Sequence, residues 1–287
     1  MAENRYYKEI MALEGLNDFK DVVEQWHRLS ENMKKLKVRK APVVPNLLWA
    51  TDSGIDTDYL MDLLTGFVYD EENLLTFYGQ HTRADYYMEY APDKNSFQEI
   101  SKIEEKIRIG AGFRSEFHGL LFIDVNEWIG HFNEENFINM MKYLQSLDSD
   151  IIYVFNIPSY NPQAVEQLTH ILALFFHIQP LEMKLPDINA LSEYVKKAIG
   201  EYGLTLDEEA EKMINASVAR LKEDQYFAGY TLLDKLASDI AYSIYTSTPP
   251  FDGVISKGMI NAFAPDGIYV SEMIQNNARI FTSQFNY

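Results

Sequence analysis

The chain has 287 residues, 47% hydrophobic and 24% charged, the composition of an ordinary soluble protein of one large domain or two packed ones. Its formal net charge of −18 disfavours nucleic-acid backbones and anionic membranes, leaving proteins and small cations as the natural partners. Cysteine is absent, no apolar run approaches the roughly 20 residues of a membrane span, and MAENRYYKE lacks the apolar stretch of a signal peptide, so the expected compartment is the cytoplasm.

Leu16, Phe19, Val22, Val23, Trp26, Leu29, Met33 and Leu36 recur at three- and four-residue steps, which predicts an amphipathic helix over 16–36 with one buried face. A basic stretch, KKLKVRK (34–40), leads into the first strand; it reads as a solvated helix end. From residue 46 strands and helices alternate. Strand 46–50 precedes helix 57–65, strand 86–90 precedes helix 96–109, and strand 120–123 precedes helix 134–147, which Asn133 is placed to cap. Strand 151–155 precedes helix 162–176, and a short strand lies near 181–185. Continuous apolar strands alternating with helices predict a mostly parallel sheet covered on both faces. After Pro186 only helices are expected, over 188–200 with Asp187 as cap, 207–221 and 232–246, with a further helix near 270–278.

NLLWATDSGIDTDYLMDLL (46–64) has the layout of a phosphate-binding loop, G-x-x-x-x-G-K-S/T, in which an apolar strand runs through a short loop into a helix. Laid over that pattern, Ala50 takes the first Gly, Ile55 the second and Asp56 the Lys, while Thr57 matches. Thr51, Asp52, Ser53 and Gly54 fill the loop. Such a loop works because glycines let backbone N–H groups converge on phosphate and a Lys adds positive charge. Sliding Gly54 onto either Gly recovers no Lys.

An open α/β sheet entered through a strand-loop-helix and followed by a helical lid resembles an AAA+ ATPase module. LEGLNDFKDVV (13–23), GLLFIDVNEW (119–128), LPDINALSEYV (185–195) and GLTLDEEAEKMI (203–214) resemble segments of AAA+ proteins of the CbxX/CfqX type. The resemblance implies a five-stranded, mostly parallel sheet with helices on both faces and a small helical lid. It divides the chain into an N-terminal helix and linker (1–45), an α/β domain (46–185) and a lid with an aromatic tail (186–287). It also implies where ATP chemistry would sit. Asp124 takes the place of the Walker B Asp, but the catalytic Glu falls on Val125, which cannot orient water, and Glu127 lies two positions on. Asn156 fits sensor 1. The family's Arg before the last strand falls on Phe175, and the sensor 2 Arg falls near Tyr230 or Thr231. The expected nucleotide crevice, formed by 50–57 with Asp124 and Asn156, is therefore a degenerate one.

Other chemistry is sparse. Six His show no zinc spacing, and no G-x-S-x-G elbow is present. Asp52, Asp56 and Asp124 are either a solvated acidic rim or, with Thr57, carboxylates for a hard cation such as magnesium or calcium. Tyr269, Phe281, Phe285 and Tyr287 are either a terminal packing element or a contact surface. Three functions stay open: a catalytically silent interaction or assembly module without a cofactor, with a protein partner or an active AAA+ relative; an atypical ATPase binding ATP with magnesium; and a metal-dependent α/β enzyme.

Overall fold

Strand β1 (Asn46–Thr51) carries buried residues on both faces, the mark of a central strand in a parallel sheet. In the computed structural model it pairs in parallel with β4 (Ile151–Pro158) on one side and β5 (Ile178–Met183) on the other. Strand β3 (Gly119–Asp124) pairs with β4, and β2 (Arg83–Tyr87) with β3, giving the all-parallel order β2-β3-β4-β1-β5. The structure describes residues 4–37, 42–70, 83–91, 96–111, 119–147, 151–223, 227, 229–247 and 253–263. Two compact units emerge: Met1–Asp52 with Thr57–Lys184, and Ser53–Asp56 with Leu185–Tyr287.

Six helices complete the described part of the first unit: α1 (Arg5–Ala12), α2 (Asn17–Leu36), α3 (Thr57–Asp70), α4 (Ser96–Ala111), α5 (Glu135–Ser146) and α6 (Pro162–Ala173). On one face Leu48, Leu121 and Phe155 share a core with Phe137 and Leu144 of α5 and Leu168 of α6. On the other, Phe19 of α2 meets Trp49 edge-on at 5.7 Å, and Trp49 meets Phe122 at 6.2 Å. Helix α1 packs against α2 and α3, with Tyr7 tilted against Phe67. The α/β fold with helices on both faces of a five-stranded parallel sheet is the architecture expected.

The second unit contains α7 (Ile188–Glu201), α8 (Glu208–Lys222), α9 (Gly229–Ser247) and α10 (Lys257–Phe263) around one apolar core that includes Leu191, Val195, Ile214, Leu233 and Ile244. Asp187 caps α7 by accepting from Ala190 N–H at 2.9 Å, and Asp207 caps α8 through Ala210 N–H at 2.7 Å.

Some local expectations shift. Asn133 does not cap α5, whose N-cap is Glu134 without a side-chain bond; a turn over 131–133 precedes it. Strand β2 lies three residues earlier than the apolar pattern implies, because Arg83 and Asp85 occupy partly exposed positions on an outer strand. The region after Pro186 is not helical throughout: β6 (Thr205–Leu206) and β7 (Val254–Ile255) form a two-stranded parallel sheet. The expected helix near 270–278 and the four aromatic tail residues lie outside the described residues.

Phe19 tests the cover that α2 gives the sheet. It is fully buried against Trp49, so Phe19→Ala is expected to cost about 3–5 kcal/mol by urea denaturation. A loss below about 1 kcal/mol would show that the site is not part of the packed core.

Candidate functional site

Parallel strands end together, so the sheet brings the C-terminal ends of β1, β3 and β4 to one edge, where open α/β folds bind ligands. Three polar side chains there join across the strands. Thr51 Oγ1 donates to Asn156 Oδ1 at 3.0 Å, and Asn156 Nδ2 donates to Asp124 Oδ2 at 2.7 Å. The other Asp124 oxygen accepts from Asn126 N–H at 3.0 Å, closing the turn after β3. Asn156, at the sensor 1 place, is only 6% exposed, and both ends of its amide are engaged by protein.

Val125, where the resemblance would put a catalytic Glu, is fully buried in the same core as Trp128 and Phe132. Its N–H donates to Asn156 C=O at 3.0 Å. Glu127, two positions on, accepts from Tyr90 N–H at 3.0 Å and so holds the chain leaving β2. Phe175, at the place of one family Arg, packs against the core of the first unit.

The loop after β1 divides between the two units. Asp52 is tied on the sheet side, its N–H donating to Met183 C=O at 3.0 Å and its Oδ1 accepting from Ser159 Oγ at 2.5 Å. Lys184 lies in its field: hydrogen bonding to Glu182 first, then the charges of Glu182, Asp52 and Asp18, hold its ammonium above the usual lysine range. Ala50 and Thr51 belong to the strand, and Thr57 opens α3.

Ser53–Asp56 group with the second unit. Gly54 has φ +88°, and a Cβ there would lie 2.6 Å from Phe227 C=O and 2.8 Å from the Phe227 ring. Gly229 has φ +57°, and a Cβ there would lie 1.8 Å from Gly54 C=O. Two left-handed glycines thus let two backbones touch where side chains would forbid it. Asp56, at the Lys place, accepts from Thr231 Oγ1, one of the positions where the sensor 2 Arg would fall. Phe227, Gly229 and Thr231 are the residues that sequence reasoning missed as partners of this loop. The two members of the Asp56–Thr231 bond are 175 residues apart, and no local pattern announces it.

Carboxylates gather around one cation at the start of β2. Arg83 bonds Asp85 and Asp58, both at 2.8 Å, and Asp62 at 2.6 Å. Burial works to lower its pKa, but the hydrogen bonds and charges of these partners raise it overall. Tyr87 is held above its ordinary pKa by burial first, then by Asp58, Asp85 and Asp124. Among the described residues no group of three or more His, Asp or Glu is placed to hold a metal ion. No helix among them is long and apolar enough to cross a membrane.

No family model matches the sequence, and no curated protein matches it. Among solved structures, the chain is similar to a RuvB mutant of Thermotoga maritima at 13% identity, over 93% of this chain and 71% of that one, with a TM-score of 0.48. It is similar to domain III of the Thermotoga maritima replication initiation protein DnaA at 14% identity, over 96% and 97% of the two chains, with a TM-score of 0.47. A FIGL-1 AAA domain is similar at 10% identity, over 99% and 90%, also with a TM-score of 0.47.

A Glu at position 125 tests the core around Val125. Val125→Glu would bury a carboxylate among apolar groups, with an expected cost on the order of several kcal/mol at neutral pH and no gain of ATP turnover. Burial would raise the new carboxyl's pKa in the folded state, so the deficit should shrink as the pH falls and the group becomes neutral. Urea denaturation at neutral and acidic pH measures it; a variant as stable as the wild type would place residue 125 outside the apolar core.

Proposed function

We propose that this AAA+-like chain is catalytically silent and works as an interaction or assembly module, with a protein partner or in a homo- or hetero-oligomer, in the cytoplasm. The observation that carries the reading is the occupied loop. Phosphate binding needs loop N–H groups free to converge and a cation beside them. Here Gly54 lies against the backbone of Phe227 and Gly229, and the Lys position is an Asp bonded to Thr231.

The electrostatics run the same way. An Asp beside a triphosphate sets like charges a few ångströms apart, a repulsion of about 4 kcal/mol per unit pair at 4 Å and an effective dielectric of 20. Val125 removes the group that would orient water, so hydrolysis lacks its base even if nucleotide were forced in. The three losses act on binding, on charge and on chemistry. No single substitution reverses them.

Isothermal titration and thermal melting with ATP and magnesium test this reading on the full chain. The expected result is no binding heat, no turnover and an unchanged Tm; a ligand at 100 times its Kd would add about 2.7 kcal/mol of stability. Saturable binding that Asp56→Lys strengthens would reverse the reading in favour of an atypical ATPase. A second variant probes the loop contact itself. Asp56→Lys with Thr231→Arg replaces a hydrogen bond by two like charges, so its Tm should fall below that of the wild type at low salt. An unchanged Tm would mean that the contact does not hold the loop.

A further inference from the structure

Helix α1 is an arm held to the first unit by a few specific contacts. Glycine inside a helix weakens it, yet Gly66 stands within α3. Tyr6 of α1 explains its place, because a Cβ on Gly66 would strike the Tyr6 ring. Beside that socket Tyr7 stacks on His27 of α2 at 4.2 Å, lies tilted against Phe67 of α3 at 6.4 Å and donates its hydroxyl to Glu24 of α2. Asn4 Nδ2 donates to Phe67 C=O at 3.4 Å, and Ile10 is fully buried. Tyr6, Tyr7 and Ile10 thus fasten the eight-residue arm against both α2 and α3.

Only residues 13–16 join the arm to α2, and they turn it back through two left-handed residues in succession, Gly15 at φ +71° and Leu16 at φ +53°. Glycine takes that conformation freely. Leucine does not: its Cβ crowds the following carbonyl, and Leu16 begins α2 without a side-chain cap hydrogen bond to offset the strain. Leucine and glutamate are good helix formers, so Leu13, Glu14 and Leu16 would lie unstrained if the hinge opened and α1 ran on from α2. A short hinge under strain favours exchange of the element it tethers.

We propose that α1 is exchanged between two copies of this chain, each arm seating Tyr6 on Gly66 and Tyr7 on His27 of the other copy. The exchange keeps every contact of the arm and frees Leu16 from the left-handed region, so its balance rests on the hinge and on protein concentration. Charge suits the arm to its seat. Arg5 and Lys8 against Glu9 leave α1 with a net positive charge on a chain of −18, so a cationic helix meets an acidic body. The exchange deepens the reading of the chain as an assembly module and rests on it. Its test contains no nucleotide, so its failure is distinct from any finding of ATP binding.

Sedimentation velocity on the full chain is expected to show a dimer that grows with concentration. Gly15→Ala strains the closed hinge further and should strengthen dimerisation about tenfold. A Gly-Ser-Gly insertion after Glu14 relaxes the hinge and should weaken it about tenfold. Disulfide trapping reads the seating, since the chain has no cysteine of its own. Tyr6→Cys chains mixed with Gly66→Cys chains and oxidised should form a disulfide between the two, which neither forms alone. Tyr7→Cys mixed with His27→Cys is the second pair, which leaves Gly66 unfilled. A chain that stays monomeric at every concentration, a dimer indifferent to both hinge variants, or no disulfide between chains in either mixture overturns the proposal. A dimer that persists after removal of residues 4–12 assigns the pairing to another surface and overturns it equally.

Discussion

The candidate site turns on the contact between Gly54 and Gly229. A backbone carbonyl lying where a Cβ would stand demands glycine in the left-handed region, and both positions meet that demand. A phosphate-binding loop uses glycine for a different end, to expose N–H groups to an anion. Here the same conformational freedom admits another stretch of the chain itself. In this loop the glycine freedom serves a contact within the chain.

The polar groups at the end of the sheet obey the same logic. A buried amide must satisfy both its ends, and in a nucleotide-binding module a ligand or its water can take one. Asn156 instead spans Thr51 and Asp124, linking β1, β4 and β3 by side chains as well as by their backbone ladders. Each such bond contributes about 1 kcal/mol net, but removing one partner leaves a buried group unpaired at about 1–3 kcal/mol. Thr51, Asn156 and Asp124 thus act as fasteners of the sheet edge.

Most of the fold was legible in the sequence because it rests on periodicity. Strands 46–50, 120–123 and 151–155 are continuous apolar runs, and the structure buries them on both faces in parallel pairing. Strand β2 was displaced because its Arg83 and Asp85 hide an outer strand from a reading by hydrophobicity. The β6–β7 pair escaped because two-residue strands have no period, and α1 because its eight residues bury only Ile10. At the site, the residues at 55, 56 and 125 were readable one by one. Their partners were not: nothing near Asp56 points to Thr231, and nothing near Gly54 points to Phe227.

At the C-terminal edge of its sheet the first unit has satisfied its own polar groups. At the C-terminal edge Asp52 has Ser159, Asp124 has Asn156 and Asn126, and Glu127 has the chain after β2. Each carboxylate there is answered by the protein's own donors, so the edge has little free energy to gain from binding an anion and a repulsion to overcome in doing so.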